Sequence, residues 1–160
     1  MTQITFESIG MIRSPHKNIQ GMPIQPASAR GVPGKVEVDP RFQPGLQDVA
    51  GFSHLILLYH FHRVEELRLR VVPFLDDRER GVFSTRAPMR PNPIGLSVVR
   101  LRRVEGNVLY VLDIDVLDRT PLLDIKPFVP AFDGADKVTI GWIEQARQEI
   151  EGKRSDDRFL

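Results

Sequence analysis

Prolines and glycines interrupt this sequence so often that few long helices fit between them. Thirteen prolines and twelve glycines are spread over 160 residues. Proline removes a backbone donor and clashes with the preceding helical turn, so such spacing favours short strands joined by turns. Alternation supports that reading. The segment Ile4 to Ile12 reads as a first strand. "GKVEVDP" sets Val36 and Val38 among polar residues and stops at Asp39-Pro40. In "FSHLILLYHFH", an extended chain puts Leu55, Leu57, Tyr59 and Phe61 on one face and His54, Ile56, Leu58, His60 and His62 on the other. In "VLYVLDIDVLD", Val108, Tyr110, Leu112, Ile114 and Val116 share a face, and Asp118 continues that parity toward the interior. The one helical pattern is "GWIEQARQEIEG", where Trp142, Ile143, Ala146 and Ile150 form a stripe of period near 3.6. The expectation is an all-β fold: a single β-barrel-like domain over residues 1–152 with a short C-terminal helix, then a charged, mobile tail over 153–160.

Composition removes several function classes. There is no cysteine, which excludes a disulfide framework, cysteine-based zinc sites and a thiol nucleophile. The formal charge is +1 and the pI about 8.1, below the ~9 usual for a non-specific nucleic-acid binder. Basic residues nonetheless cluster locally, at Arg100, Arg102 and Arg103 and at Arg80, Arg86 and Arg90. The N-terminus lacks a basic stretch followed by an apolar one, and no apolar run reaches the ~20 residues that span a bilayer. The expected location is cytoplasmic, without membrane contact.

Two segments draw attention as sites. "GVFSTRAPMRPNPIGLSVVRL" holds Pro88, Pro91 and Pro93 within six residues, with Arg86, Arg90 and Asn92 threaded among them. Each proline fixes its own φ and extends the residue before it, so these donors are pre-ordered and lose little entropy on meeting a ligand. A guanidinium fork suits carboxylate or phosphate, and an asparagine amide suits a base edge. A stiff corner between strands is the plainer account. In "LDRTPLLDIKPFVP", Asp118 points inward and needs a partner, whereas Asp124 and Lys126 share a strand face and can pair at the surface. Other chemistries find less support. His60 and His62, followed by Glu65 and Glu66, resemble the start of a cupin metal motif, but the glycine spacing and a third histidine are missing. No G-x-S-x-G elbow and no G-x-G-x-x-G turn occur.

The proline segment closely resembles the signature of the TsaA/TrmO family, also called YaeB-like. "IGMIRSPHK", "GMPIQP", "GFSHLILLYHFH" and "DRTPLLDIKPFVP" match further family motifs in the same order, over roughly Ile9 to Pro130. The resemblance implies a β-barrel enzyme that uses S-adenosylmethionine, needs no metal and works as a homodimer. Its implied reaction is methylation of N6 of threonylcarbamoyladenosine next to the anticodon of certain tRNAs. The cofactor contacts it implies fall on Ile24, Gln25 and Pro26, on His62 and Arg63, on Arg86, on Leu96, and on Asp118, Arg119, Thr120 and Pro121. Arg90 and Asn92 are then left to face the tRNA anticodon loop. The family turn is usually Asp-Gly-Thr-Pro, and this chain carries Arg119 in the glycine position. Some bacterial members also have an extra C-terminal domain that helps hold tRNA. Two readings compete: a non-catalytic cofactor- or RNA-binding module, and a cupin-like metal enzyme using His60 and His62.

Overall fold

A computed structural model of the protein describes residues 2–23, 26–144 and 155–156. Six strands close into an antiparallel barrel: β1 (Gly10–Arg13), β2 (Pro33–Val38), β3 (His54–His60), β6 (Ile94–Glu105), β7 (Val108–Leu112) and β8 (Thr120–Pro127). Their order around the barrel is β1-β2-β7-β6-β3-β8. Two short strands, β4 (Arg70–Val71) and β5 (Arg80–Gly81), pair separately in the long excursion between β3 and β6. A short helix, α1 (Pro130–Asp133), follows the barrel. The all-β barrel expected from the spacing of prolines and glycines is what forms.

Small residues allow the strands to close. A Cβ on Gly10 would lie 2.2 Å from the Glu37 carbonyl oxygen across the β1–β2 pair. Gly106, at φ +60°, opens the two-residue turn of the β6–β7 hairpin, where the Asn107 side chain donates to the Val38 carbonyl at 2.6 Å. The barrel interior is filled by Ile12, Val36, Val38, Leu55, Leu57, Val99, Leu109, Val111 and Leu122 with Ile114 and Val116. Burying such a side chain contributes roughly 1.5–3 kcal/mol. Leu55, Leu57 and Tyr59 are the inward face of β3, as alternation predicts, and the first strand is shorter than expected, beginning only at Gly10.

The parity expected for the 108–118 segment is wrong. Leu109 and Val111 face the core, while Tyr110 lies outside between Arg103 and Lys35, whose charged groups sit 3.7 and 5.3 Å from its ring centroid. The cause is Asp113. It adopts a left-handed φ of +67°, and its carboxylate accepts from the Gly31 N–H at 2.6 Å and from Arg100 at 2.5 and 3.1 Å. That kink ends β7 and resets the alternation, so Ile114, Asp115 and Val116 are all buried in one irregular segment. The Asp124–Lys126 pair forms as expected, at 2.6 Å and exposed.

The helix expected around Trp142 falls mostly outside the described residues; its beginning, 141–144, is a 3-10 turn. Of the tail, residues 155–156 are described. Ser155 is buried and bridges to the loop before β2: Gly21 N–H donates to its carbonyl, and its own N–H donates to the Met22 carbonyl, both at 2.9 Å. Its hydroxyl donates to the carbonyls of Ile19 and Met22.

Candidate functional site

One end of the barrel opens into a cavity of about 760 Å³. Its floor is made by the end of β3, the start of β6, the 115–117 segment and the start of β8. Its roof comes from three separate pieces of chain: Ile19–Pro23, the excursion between β3 and β6, and Trp142–Ile143 with Ser155. The excursion has a small core of its own, Val71, Ala87 and Met89 against Val64 and Phe74. That core steadies the proline-framed loop over the cavity.

The floor is polar at one point. Tyr59 and Ser97 lie side by side because Gly95 has no side chain; a Cβ there would stand 2.2 Å from the Tyr59 ring. The Ser97 hydroxyl donates to Asp115 Oδ1 at 2.6 Å. With that proton committed, Ser97 Oγ accepts from the Tyr59 hydroxyl at 3.0 Å, giving a directed chain from Tyr59 through Ser97 to Asp115. Asp115 is 8% exposed and has no ion pair among the described residues. Burial pushes its carboxyl from the ordinary 3.8 up to about 6, the Ser97 bond opposing. Burial, and the Asp115 charge after it, raise the Tyr59 phenol above its ordinary value. Sequence reading missed Asp115, because unbroken alternation would have put Ile114 and Val116 on one face and Asp115 on the other.

His62 and Thr120 form the adjoining wall. The Thr120 hydroxyl donates to the Leu117 carbonyl at 2.7 Å, so toward His62 Nδ1, 3.4 Å away, it acts as acceptor. This favours the proton on Nδ1 and leaves Nε2 as an acceptor. Burial lowers the His62 pKa, assisted by the Arg63 and His60 charges, so the ring is neutral near pH 7. Arg86 is exposed, lines the cavity, and makes no hydrogen bond or ion pair among the described residues. Its charge reaches the floor, favouring ionised Asp115 and Tyr59.

The expected site residues therefore fall in four groups. His62, Arg63, Arg86, Leu96 and Thr120 line the cavity together with Arg90. Asp118, Arg119 and Pro121 belong to the turn that delivers Thr120 and do not themselves line it. Ile24 and Gln25 lie outside the described residues, and Pro26 begins a 3-10 turn beside them. Asn92 is exposed, away from the cavity lining. Arg90 braces the loop that carries Arg86: its Nη1 donates to the carbonyls of Val82, Thr85 and Ala87 at 3.0, 2.8 and 3.4 Å.

The Asp118 turn ties two distant motifs together. Asp118 accepts from the Ser14 N–H at 3.0 Å and from Lys17 Nζ at 2.6 Å. Burial opposes its ionisation, but Lys17, the Ser14 amide and Arg13 outweigh it and hold the carboxyl below its ordinary value. Arg119 adopts φ +63°. The turn keeps the left-handed backbone that suits glycine, at a cost of order 1 kcal/mol for a larger residue. His60 and His62 are not joined by a further ligand; among the described residues no three His, Asp or Glu side chains are placed to hold a metal.

A closed antiparallel barrel with a loop-roofed cavity, a buried carboxylate on its floor and the unpaired guanidinium groups of Arg63 and Arg86 on its lining, among the described residues, has the build of a β-barrel small-molecule-binding domain. Comparison with known proteins makes the class specific. The family described as tRNA-methyltransferase O N-terminal domain matches residues 11–134, and the chain belongs to it. A probable S-adenosyl-L-methionine-binding protein of Pyrococcus abyssi is 51% identical over 157 residues, covering 98% of this chain and 85% of that protein. The tRNA (adenine(37)-N6)-methyltransferase of Escherichia coli is 33% identical over 156 residues, covering 91% of this chain and 66% of that one. The crystal structure of TrmO from Pseudomonas aeruginosa matches with a TM-score of 0.74 at 37% identity. That match covers 88% of this chain but 63% of the solved one, so this chain spans under two thirds of that structure's length.

Proposed function

We propose that this chain is an S-adenosylmethionine-dependent methyltransferase that modifies N6 of threonylcarbamoyladenosine beside the anticodon of tRNA. The observation that carries the reading is the unpaired Arg86 over a cavity floored by an unpaired carboxylate, in a chain of this family. The cavity chemistry fits the cofactor: a guanidinium for its carboxylate, an acceptor nitrogen on His62, and apolar walls such as Phe61, Val64 and Leu117 for its adenosine. When bound, S-adenosylmethionine supplies a methyl group on a cationic sulfur. The chain then has to position and to exclude water, and positioning is the main lever in such an in-line displacement.

In this reading Arg86, presented by the loop that Arg90 braces, clamps the carboxylate. His62, Arg63, Leu96 and Thr120 complete the pocket wall, the Asp118–Pro121 turn delivers Thr120 to it, and Ile24, Gln25 and Pro26 supply further cofactor contacts. Asn92, exposed on the same proline-framed loop, and the outer part of Arg90 meet the anticodon loop. The exposed Phe83, Ile94 and Leu96 at the cavity rim support a homodimer, since a second copy would cover them. A cytoplasmic location follows from the tRNA substrate.

Nucleoside mass spectrometry of tRNA from a strain lacking the gene tests the reaction. Loss of methylated threonylcarbamoyladenosine is expected, and an unchanged level in the absence of a paralogue would refute it. For the pocket, Arg86→Ala should weaken S-adenosylmethionine binding at least tenfold by calorimetry, the effect of about 1.4 kcal/mol lost at a charged clamp. Unchanged affinity would remove Arg86 from the cofactor site.

A further inference from the structure

The floor of the cavity poses an electrostatic problem that the family assignment does not address. Asp115 is buried at a barrel end, its Oδ1 holding the Ser97 hydroxyl at 2.6 Å. No cation forms an ion pair with it among the described residues, although the charge of Arg86 reaches it. A buried carboxylate left so is costly, and in natural proteins such groups are usually paired. The surroundings limit what can pair with it. Apart from Ser97 and the Tyr59 hydroxyl, the lining contributed by the neighbouring floor is the Tyr59 ring, Gly95, Val116 and Leu117, which is largely apolar. An ammonium ion placed here would have further N–H donors needing acceptors; a cation without donors needs only the field of the carboxylate.

We propose that Asp115 is the counter-ion of the cofactor's sulfonium, and that it makes the pocket prefer the charged methyl donor over its neutral demethylated product. The assignment rests on the methyltransferase reading above. It gives product release a cause. Once the methyl has left, the sulfur is neutral and the attraction to Asp115 is gone. The charged and titratable groups that line the cavity with Asp115 are Tyr59 from β3, Arg86 and Arg90 from the roofing loop, and His62 and Arg63 after β3. Of these, His62 also titrates in the acid range, because burial lowers its pKa. A protonated His62 would repel a sulfonium as well, so a pH effect alone does not separate the two residues, whereas a variant does.

The test compares S-adenosylmethionine with S-adenosylhomocysteine by calorimetry at about pH 7 and about pH 5, on the native chain and on Asp115→Asn. The two ligands share carboxylate, ammonium and adenosine, so their affinity ratio isolates the sulfonium. The native protein should prefer S-adenosylmethionine about tenfold at neutral pH. That preference should shrink to within about twofold once Asp115 is protonated. Asp115→Asn should show the small ratio at both pH values while still binding S-adenosylhomocysteine. A preference that persists in Asp115→Asn, with its pH dependence, would transfer the role to His62 and overturn the assignment. A parallel loss of both ligands in Asp115→Asn would place Asp115 on the shared ammonium and overturn it equally. Binding of neither ligand to the native protein would overturn the methyltransferase reading, and this assignment with it.

Discussion

Replacing Asp115 by asparagine should make the free protein more stable at neutral pH. Folding moves this carboxyl from 3.8 to about 6, chiefly through burial. In the window between those values the native state holds a proton that the unfolded state has released. Stability therefore falls as pH rises through it, and the full penalty is present above about pH 6. The difference between 3.8 and about 6 corresponds to ~3 kcal/mol. Asparagine removes that penalty but weakens the bond from Ser97, which loses its charged acceptor, at ~1 kcal/mol. A net gain of about 2 kcal/mol remains, equivalent to a melting temperature higher by roughly 4–8 °C for a domain of this size. Thermal and urea unfolding of both proteins at about pH 7.5 and about pH 3.5 read the difference directly, since acid effects elsewhere are common to both. The gain should be present at the higher pH and absent at the lower. Equal stability at about pH 7.5, or the same difference at both pH values, would refute the claim that an unpaired buried charge sits on the cavity floor.

Three further outcomes follow from neighbouring geometry. Gly95→Ala sets a Cβ 2.2 Å from the Tyr59 ring, so it should destabilise by ~2 kcal/mol or more through overpacking; unfolding free energy within 0.5 kcal/mol of the parent would contradict that contact. Arg119→Gly relieves a left-handed residue at φ +63° and should raise stability by about 1 kcal/mol; a loss of stability in urea titration would show that the arginine side chain outweighs its backbone strain. Arg90→Ala removes three bonds to the carbonyls of Val82, Thr85 and Ala87, so amides of the 82–90 loop should exchange with solvent at least tenfold faster; unaltered protection would mean that the prolines alone hold the loop.

The sequence exposed the architecture through its punctuation and the inward face of β3 through its alternation. It also exposed Asp118 as an acid in need of a partner. The partner, Lys17, stands 101 residues away, and only barrel closure brings the "IRSPHK" motif against the "DRTP" turn. The failure at 108–116 has a single cause, because period-2 reasoning assumes an uninterrupted strand. Asp113 breaks it with a left-handed residue, and an aspartate inside an apolar strand run was the available signal. Missing that kink hid Asp115. The role of Arg90 was hidden differently: composition offers five donors on a loop, and only coordinates show one of its nitrogens turned back onto three carbonyls.

Every barrel strand has both neighbours, whereas the cavity roof is assembled from separate pieces that hold one another, among the described residues, by bonds such as Ser155 to Gly21 and Met22 and the Trp142 indole to Ser84. Insertions and substitutions in those pieces leave the ladders intact, so the roof of the cavity can vary in sequence while the barrel floor beneath it keeps its geometry.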